Sequence, residues 1–351
     1  DYIVKNTVLE ELKNKKIKPR EIKILDPASG SGSFLIKAFD YLYENLSVKD
    51  ESKQNKIDSQ GMYSVKTEVL KKNLYGVDLD NKAVEITKLN LLLKASEKYR
   101  KLPEEVDLHI KHGNSLVDDE KIDKYAFKWK DDFKEGNFDV VIGNPPYVFT
   151  RDVEFQEQFK KYVTENYLNA SESISKSHAR QSGKVNLYAL FLVKGIKLLK
   201  NNGLFGFIIP NNILRTTTYD IIRKFILDNC KILKIVDLGA GIFEGVTAST
   251  IILILEKESD KTKRDKNKVT IFSDINDLSN KKEVEQKGFL DNTSYAFNIT
   301  LGKEGAGIFE GIEKNTMPLG EISTIHAGGI ATGKNKKEMI ENHAKNSKYK
   351  K

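Results

Sequence analysis

The stretch that decides the fold is Ile22-Lys23-Ile24-Leu25-Asp26-Pro27-Ala28-Ser29-Gly30-Ser31-Gly32-Ser33-Phe34. Residues 22–25 predict a short buried strand, and the apolar pattern from Leu35 to Leu42 predicts a helix directly after the turn. The two glycines let the backbone approach a ligand closely, and Asp26 places a carboxylate at the carboxyl end of the strand, where open α/β sheets bind ligands. The third glycine of a dinucleotide fingerprint is absent and no Gly-Lys-Ser/Thr follows, which disfavours pyrophosphate and P-loop sites.

Two later strand ends carry polar side chains that suit a nucleoside. A strand over residues 73–77 runs into Asp78-Leu79-Asp80, ahead of a helix predicted from Asn81 to about Ala95. Asp78 is placed to accept hydrogen bonds from ribose hydroxyls, while Asp80 or Asn81 caps the helix, and both roles can hold together. A third strand near residues 106–110 leads to Gly113-Asn114-Ser115-Leu116, where a polar side chain can meet an adenine ring.

The tetrapeptide Asn144-Pro145-Pro146-Tyr147 follows the apolar run 138–143 and indicates methyl transfer onto a planar nitrogen. An exocyclic amine such as N6 of adenine is a poor nucleophile, because its lone pair is delocalised into the ring, until its hydrogens are held. The Asn side-chain oxygen and a backbone carbonyl fixed by two prolines can accept those hydrogens, and the Tyr ring offers a face for stacking. The alternative is a plain turn at the edge of a sheet.

Seven candidate strands alternate with helical stretches, which predicts a doubly wound α/β sheet. The last two strands have little room for a crossover helix between Leu238 and Thr250, so they are expected to be antiparallel. The seven strands are predicted near residues 22–26, 73–78, 106–110, 138–142, 204–209, 232–236 and 249–255.

Composition shifts divide the chain into a domain over residues 1–258, a linker over 259–316 and a new element over 317–351. Two polar stretches, about residues 47–65 and 150–184, interrupt the first domain. The first is predicted as a surface loop. The second follows the tetrapeptide directly, so it is either a mobile lid over a bound base or an unrelated insertion.

These motifs resemble the S-adenosylmethionine-dependent N6-adenine DNA methyltransferases whose cofactor motif precedes Asn-Pro-Pro-Tyr, and more narrowly the methylase part of type IIG restriction-modification enzymes. The resemblance implies a Rossmann-like methyltransferase fold, with a mixed doubly wound sheet and an antiparallel last strand. It also implies that the chain is truncated at both ends, with the start of a target-recognition domain in residues 317–351. The resemblance covers the first residues to about Lys257 and rests on residues 26–34, 75–80, 113–116, 142–147, 186–191, 203–211 and 242–248.

The resemblance implies S-adenosyl-L-methionine as the cofactor and assigns roles to individual residues. The implied catalytic residues are Asn144, Pro145, Pro146 and Tyr147. The implied cofactor-binding residues are Asp26, Ala28, Gly30, Gly32, Phe34, Asp78, Leu79, Asn114 and Asn144.

Within this assignment, a flipped adenine stacks between Tyr147 and Phe243. The residues alone favour Phe243 as a core aromatic before the last strand. Two departures from the family concern the cofactor pocket. Family members often carry Asp at the position of Asn114, and they carry a Tyr-Thr-Pro segment ahead of the helix that begins here at Asp1.

Composition is compatible with this interpretation. The chain has 351 residues and a net charge of +8, which suits a polyanion such as double-stranded DNA. No apolar run reaches spanning length and no signal peptide opens the chain, so membrane association is disfavoured and a cytoplasmic location is expected. The single cysteine, Cys230, excludes internal disulfides and multi-cysteine zinc sites, and the histidines lack ligand spacing, so no metal is expected.

The predicted function is a site-specific DNA methyltransferase that methylates N6 of a flipped adenine as part of a restriction-modification system. Nuclease and target-recognition domains are expected in the parent chain or in a partner subunit. One alternative is a methyltransferase acting on a glutamine amide in a release factor or on guanine N2 in ribosomal RNA; those proteins usually place a recognition domain before the cofactor motif. The other alternative is a non-catalytic DNA-binding subunit that retains the fold.

Overall fold

The computed structural model describes residues 1–14, 19–51, 59–96, 108–133, 137–150, 157–168, 185–239, 249–299 and 316–317. Residues 1–299 form one compact unit and residues 300–351 a second. Phe243 lies outside the described residues, as does the predicted start of a target-recognition domain apart from residue 317. None of the helices in the described ranges is both long and apolar enough to cross a bilayer.

The compact unit is an α/β structure with ten α-helices and nine strands in its described ranges. The helices are α1 Tyr2–Val4, α2 Glu10–Asn14, α3 Ser33–Glu51, α4 Ser59–Lys72, α5 Asn81–Ala95, α6 Trp129–Asp132, α7 Glu157–Val163, α8 Leu187–Leu198, α9 Asp220–Asn229 and α10 Lys261–Asp265. The strands are β1 Ile24–Asp26, β2 Leu74–Asp78, β3 His109–His112, β4 Phe138–Gly143, β5 Leu199–Pro210, β6 Cys230–Gly239, β7 Thr250–Lys257, β8 Lys268–Phe272 and β9 Lys281–Glu285.

All nine strands form one mixed sheet in the order β3-β2-β1-β4-β5-β7-β6-β8-β9. Strands β1 to β5 are parallel, and β7 lies antiparallel between β5 and β6. The chain turns from one half of the sheet to the other between β1 and β4. Such a reversal leaves a crevice at the carboxyl ends of the two central strands.

Side chains alternate between two cores, one on each face of the sheet. In β1, Leu25 points into one core and Ile24 into the other; in β4, Val141 and Ile142 divide in the same way. This alternation follows from the two-residue period of a strand. Because both faces are covered, β4 is buried along its whole length and reads in the sequence as an unbroken apolar run.

The predicted doubly wound sheet is confirmed, and the pairing of β6 with β7 is antiparallel as expected. Two further strands follow β7 in the chain: β8 runs parallel to β6, and β9, the last strand, runs antiparallel to β8. Residues 261–299, predicted as part of a linker, form α10 and the strands β8 and β9, which extend the same sheet. The compact unit therefore ends at residue 299 instead of 258. Short strands with a charged outer edge, such as β9, give too weak an apolar pattern to stand out from a polar linker.

The predicted insertion over residues 150–184 contains a folded part. Helix α7 continues into a π-helical turn over Thr164–Leu168, and this segment packs into the larger core. Its tyrosines are anchored to the loop after β3: the Tyr162 hydroxyl donates to Asp118 Oδ1 at 2.6 Å, and the Tyr167 hydroxyl donates to the carbonyl of Leu116 at 2.6 Å. The described part of the stretch is thus an anchored wall of the domain.

Arg223 on α9 joins the end of the compact unit to the loop after β5. Its side chain is fully buried, and its guanidinium donates to the carbonyl oxygens of Ile213, Thr216 and Ser294 at 2.7 to 3.0 Å. The planar guanidinium supplies five N–H donors in fixed directions, so one side chain can hold three carbonyl groups.

We expect Arg223→Ala to lower the free energy of unfolding by about 3 kcal/mol, because the carbonyl oxygens of Ile213, Thr216 and Ser294 lose the donor that the buried guanidinium supplies. Arg223→Lys should fall between this variant and the wild type, since an ammonium group cannot reach all three carbonyls. Urea unfolding followed by circular dichroism measures both. Asp228→Ala, which removes only an exposed ion pair on the same helix, is the control and should cost about 1 kcal/mol or less. Equal losses in the Arg223→Ala and Asp228→Ala proteins would contradict the assigned role.

Candidate functional site

A cleft of about 570 Å³ opens at the carboxyl ends of the parallel strands. Its walls come from the loops that follow β1, β2, β3 and β4, together with α7 and α8. The described residues that line it are Pro27, Ala28, Asp78, Leu79, Gly113, Asn114, Ser115, Leu116, Ile122, Asp123, Asn144, Pro146, Phe159, Leu187 and Phe191.

The glycine-rich turn after β1 is held by helix α5. Gly30 and Gly32 have φ values of +51° and +85°, a region that side-chain-bearing residues rarely adopt. A Cβ on Gly32 would lie 2.8 Å from the side chain of Thr87. The Thr87 hydroxyl donates to the carbonyl of Gly30 at 2.7 Å, and Asn90 Nδ2 donates to the carbonyl of Ser31 at 3.1 Å. The turn is therefore fixed in shape before any ligand binds.

Asp78, at the end of β2, lies between this turn and the cleft. One carboxylate oxygen accepts the backbone N–H of Gly30 at 2.8 Å, and the other accepts that of Asp80 at 2.9 Å. Each oxygen keeps a free lone pair, so the carboxylate can still accept two neighbouring hydroxyl groups. Asp80 caps α5 by accepting the N–H of Lys82, as predicted.

Asp26 is buried beneath the cleft and does not line it. Only 1% of the residue is exposed, and Oδ1 accepts the backbone N–H of Ala28 at 3.1 Å. Gly143 at the end of β4 faces this carboxyl so closely that a Cβ there would lie 2.7 Å from Oδ1. Desolvation raises the pKa of Asp26 to about 7; the N–H of Ala28 opposes this shift, and the charge of Asp78 adds to it.

The tetrapeptide leaves β4 at the rim of the cleft. Asn144 and Pro146 are exposed and line the cleft, whereas Pro145 is buried. The Tyr147 hydroxyl lies 2.7 Å from Asn144 Oδ1 and 3.1 Å from the carbonyl oxygen of Ile208, and it can donate to either. Its ring meets Tyr188 edge-on, with 6.2 Å between ring centroids. Partial burial raises the pKa of Tyr147 well above its usual range, so the hydroxyl stays protonated and remains a donor.

The loop after β3 folds back on itself beside the cleft. The backbone N–H of Asn114 donates to the carbonyl of Tyr125 at 2.6 Å, and Asn114 pairs with Ala126 as an isolated bridge. The Asn114 side chain donates through Nδ2 to Asp123 Oδ2 at 2.6 Å, and its Oδ1 accepts the N–H of Leu116 at 3.0 Å. Asp123 is thereby brought to the cleft wall, nine residues after Asn114.

The structure brings most of the predicted site residues to one place. Ala28, Asp78, Leu79, Asn114, Asn144 and Pro146 line the cleft. Asp26, Gly30, Gly32, Pro145 and Tyr147 support it without being among the lining residues. Phe34 was predicted to bind the cofactor. It packs instead against the core that contains Ile24, whereas the cleft residues Phe159 and Phe191 belong to the core on the other face of the sheet.

Several lining residues had been given no site role by the sequence analysis. Phe159 lies on α7, inside the stretch predicted as a lid or an insertion, and Leu187 and Phe191 lie one turn apart on α8. Ile122 and Asp123 reach the cleft only because the loop after β3 doubles back. The nearly continuous apolar sequence of α8 was a usable signal for burial, whereas nothing local marks the position of Asp123.

We expect Asp26→Asn to change how stability depends on pH. Between the ordinary pKa of 3.8 and the raised value of about 7, folded Asp26 holds a proton that the unfolded chain has released. The contribution of Asp26 to stability therefore falls as pH rises from about 4 to about 7, by at most about 4 kcal/mol. Asn carries no proton to lose, so the stability of the variant relative to wild type should rise over this range. Urea unfolding at pH 5, 6, 7 and 8 measures the difference; parallel curves would contradict the prediction.

Residues 72–243 match the model of the Eco57I restriction-modification methylase family. The type II restriction enzyme and methyltransferase RM.Eco57I of Escherichia coli is 29% identical over 95% of this chain, which covers 34% of that protein. The type II methyltransferase M.BstVI of Geobacillus stearothermophilus is 29% identical over 68% of this chain, which covers 38% of that protein. The chain spans about a third of the length of each of these two relatives.

Among solved structures, the ATP-dependent type ISP restriction-modification enzyme LlaBIII bound to DNA has the same fold. It superposes with a TM-score of 0.58 over 86% of this chain and 22% of that one, at 15% sequence identity. At that identity the superposition concerns the fold alone. The family match and the curated relatives confirm that this chain resembles the methylases of type II restriction-modification enzymes.

Proposed function

We propose that this chain is the catalytic part of a DNA methyltransferase, which transfers a methyl group from S-adenosyl-L-methionine to N6 of an adenine in double-stranded DNA. The observation that carries the proposal is one shared cleft. It joins the Asp78 carboxylate, suited to the hydroxyls of a ribose, to the Asn144 amide, suited to the hydrogens of an amine. The restriction-modification methylases that the chain resembles support the same assignment.

The residues present fit S-adenosyl-L-methionine. The cleft has the volume of a typical small-molecule site, and its wall combines apolar side chains with a few polar groups. Asp78 keeps acceptor capacity for two adjacent hydroxyls, and Leu79 and Ile122 offer apolar surface for a planar base. Because Gly143 has no Cβ, the end of β4 that leads into the tetrapeptide can lie directly against Asp26 at the end of β1.

When bound, the cofactor supplies a methyl group already activated by a sulfonium, so the protein mainly has to position the acceptor nitrogen. Asp26 and the turn carrying Gly30 and Gly32 would lie under the methionine part of the cofactor. Asp78 would accept hydrogen bonds from its ribose hydroxyls. Phe159 from α7 lines the cleft and adds apolar surface to its wall.

The target adenine must leave the DNA stack to reach Asn144. Asn144 Oδ1 and the carbonyl of Pro145 accept the two N6 hydrogens, which returns electron density to the nitrogen. An amide oxygen has two lone pairs, so Asn144 can keep the contact with Tyr147 while it accepts from the base. After methyl transfer the nitrogen would carry a positive charge and would release a proton to solvent, so no general base is assigned. The Tyr147 ring provides the stacking surface on one face of the base, and Phe243 is proposed for the other.

The net charge of +8 favours a DNA partner electrostatically. DNA-bound restriction-modification enzymes share this fold, which supports the same partner class. Because the chain spans a third of its relatives, target-recognition and nuclease functions are proposed to lie in further parts of the protein or in a partner subunit. We also propose that the protein is located in the cytoplasm, where its DNA substrate lies.

The test is transfer of tritiated methyl from S-adenosyl-L-methionine to unmethylated DNA by the full chain. Ribosomal RNA and a release factor serve as competing acceptors, and nucleoside analysis identifies the product. Label in N6-methyladenine supports the proposal. Label in methylated cytosine, in RNA or in protein would overturn the substrate assignment, and cofactor binding without transfer to any acceptor would favour a non-catalytic DNA-binding subunit.

We expect Asn144→Ala to reduce methyl transfer by about 10²- to 10³-fold, because the acceptor for the N6 hydrogens is lost. Its affinity for S-adenosylhomocysteine should stay close to that of wild type. Asp78→Ala should act chiefly by weakening the affinity for S-adenosylhomocysteine. Asn276→Ala, in an exposed turn after β8, is the matched control and should change neither quantity. Equal losses of cofactor affinity in the Asn144→Ala and Asp78→Ala proteins would rule out this division of labour.

Two substitutions of Tyr147 distinguish the role of its ring in stacking from the role of its hydroxyl in positioning Asn144. Tyr147→Phe keeps the ring but removes the hydroxyl contact to Asn144 Oδ1, so we expect methyl transfer to fall about tenfold, in keeping with one neutral hydrogen bond. Tyr147→Ala also removes the ring and should cost a further factor of about ten or more, with weaker binding of DNA that carries an extruded base. Transfer rates and fluorescence of 2-aminopurine placed at the target measure the two effects. If the Phe variant were as impaired as the Ala variant, the ring would have no separate role.

A further inference from the structure

The amide of Asn114 is engaged by the protein itself. Its Oδ1 accepts the N–H of Leu116, and Nδ2 donates to Asp123 Oδ2 at 2.6 Å. Asn114 was predicted to contact the adenine of the cofactor. An amine on the ligand needs an acceptor, and one lone pair of the Asn114 oxygen is already used within its own turn. A stronger acceptor stands beside it.

That acceptor is Asp123. Its carboxylate receives two hydrogen bonds, from Asn114 Nδ2 at Oδ2 and from the backbone N–H of Tyr125 at Oδ1, 2.9 Å away. A carboxylate offers about four lone-pair positions, so about two remain free. These two hydrogen bonds, both from the same loop, fix the orientation of the Asp123 carboxylate. Asp123 is partly exposed, lines the cleft and makes no ion pair with a cation in the described ranges.

The position of Asp123 identifies the part of the ligand that it meets. The methyl-transfer end lies at Asn144 after β4, and the hydroxyl-binding Asp78 follows β2. The next strand outward is β3, so the part of the ligand beyond its ribose reaches the loop after β3. The walls there are Leu79 and Ile122, which are apolar and suit the faces of a planar ring. Asp123 lines the same cleft and follows Ile122 directly in the chain.

We propose that the Asp123 carboxylate accepts a hydrogen bond from the exocyclic amine of the adenine in the bound cofactor, with Asn114 acting as the residue that positions it. This assignment rests on the proposed function and makes Asp123 the residue that selects an adenosyl group over a base with a carbonyl at the same place. The Asn114 side chain holds the carboxylate through Nδ2 and takes no direct part in the selection.

Binding of two ligands to the full chain tests this assignment by isothermal titration calorimetry. S-Adenosylhomocysteine carries the amine, and S-inosylhomocysteine carries an oxygen in its place. A carboxylate facing that oxygen loses its hydrogen bond and meets a second acceptor, so wild type should prefer the adenosyl ligand by about tenfold or more. In Asp123→Asn the amide can donate to the oxygen, and the preference should shrink to within about threefold.

Asp119→Asn is the matched control, because Asp119 lies in the same loop, caps only the N–H of Lys121 and is absent from the cleft wall. It should keep the preference of wild type. Thermal unfolding of each variant reports folding independently of ligand binding, and the preference of wild type is itself a test that needs no variant.

Equal binding of the two ligands by wild type would overturn the assignment of Asp123 alone, as would an unchanged preference in a folded Asp123→Asn protein. Failure of wild type to bind S-adenosylhomocysteine at all would instead overturn the proposed cofactor, and the assignment of Asp123 with it. The two failures are therefore distinguishable.

Discussion

The close contact between Gly143 and Asp26 is the constraint on which the site depends. These residues end the two central strands, β4 and β1, at the point where the direction of winding reverses. Any side chain at position 143 would meet the Asp26 carboxyl at 2.7 Å. Because the position carries no side chain, the tetrapeptide beginning at Asn144 emerges directly beside the glycine-rich turn. Asp26 is buried in this arrangement, and desolvation raises the pKa of its carboxyl to about 7. Bringing the two strand ends together therefore costs free energy, because the Asp26 carboxyl loses contact with water.

The loops around this contact are held by hydrogen bonds from neighbouring elements. Thr87 on α5 fixes the glycine-rich turn, Asp78 fixes it from β2, and Tyr147 reaches both Asn144 and the backbone of β5. The proposed reaction, which must align an acceptor nitrogen with a methyl donor, would gain from such preorganisation, because the geometry is set before binding. The buried guanidinium of Arg223 stabilises the loop after β5 in the same way.

The position of Asp123 illustrates how a cleft recruits residues from outside recognisable motifs. Asn114 occupies a place where the resembling methyltransferases often have an acidic residue, yet its own amide is tied to the turn. The carboxylate of Asp123 comes to the same wall from nine residues further along. If the proposed assignment holds, a charge is kept near the adenine of the cofactor although the residue at the strand end is neutral, because Asn114 orients the Asp123 carboxylate.

The sequence by itself determined the elements whose signals are local. The strand and turn around Asp26, helix Asn81–Ala95 with its cap at Asp80, and the apolar run before Asn144 were all predictable, because burial and capping leave periodic or fixed-position patterns. Only the tertiary structure decided that β8 and β9 extend the sheet, that α7 forms a wall of the cleft, and that Asp123 reaches it. Those features depend on contacts between residues distant in sequence. Short or charged segments carry no periodic pattern from which such contacts could be predicted.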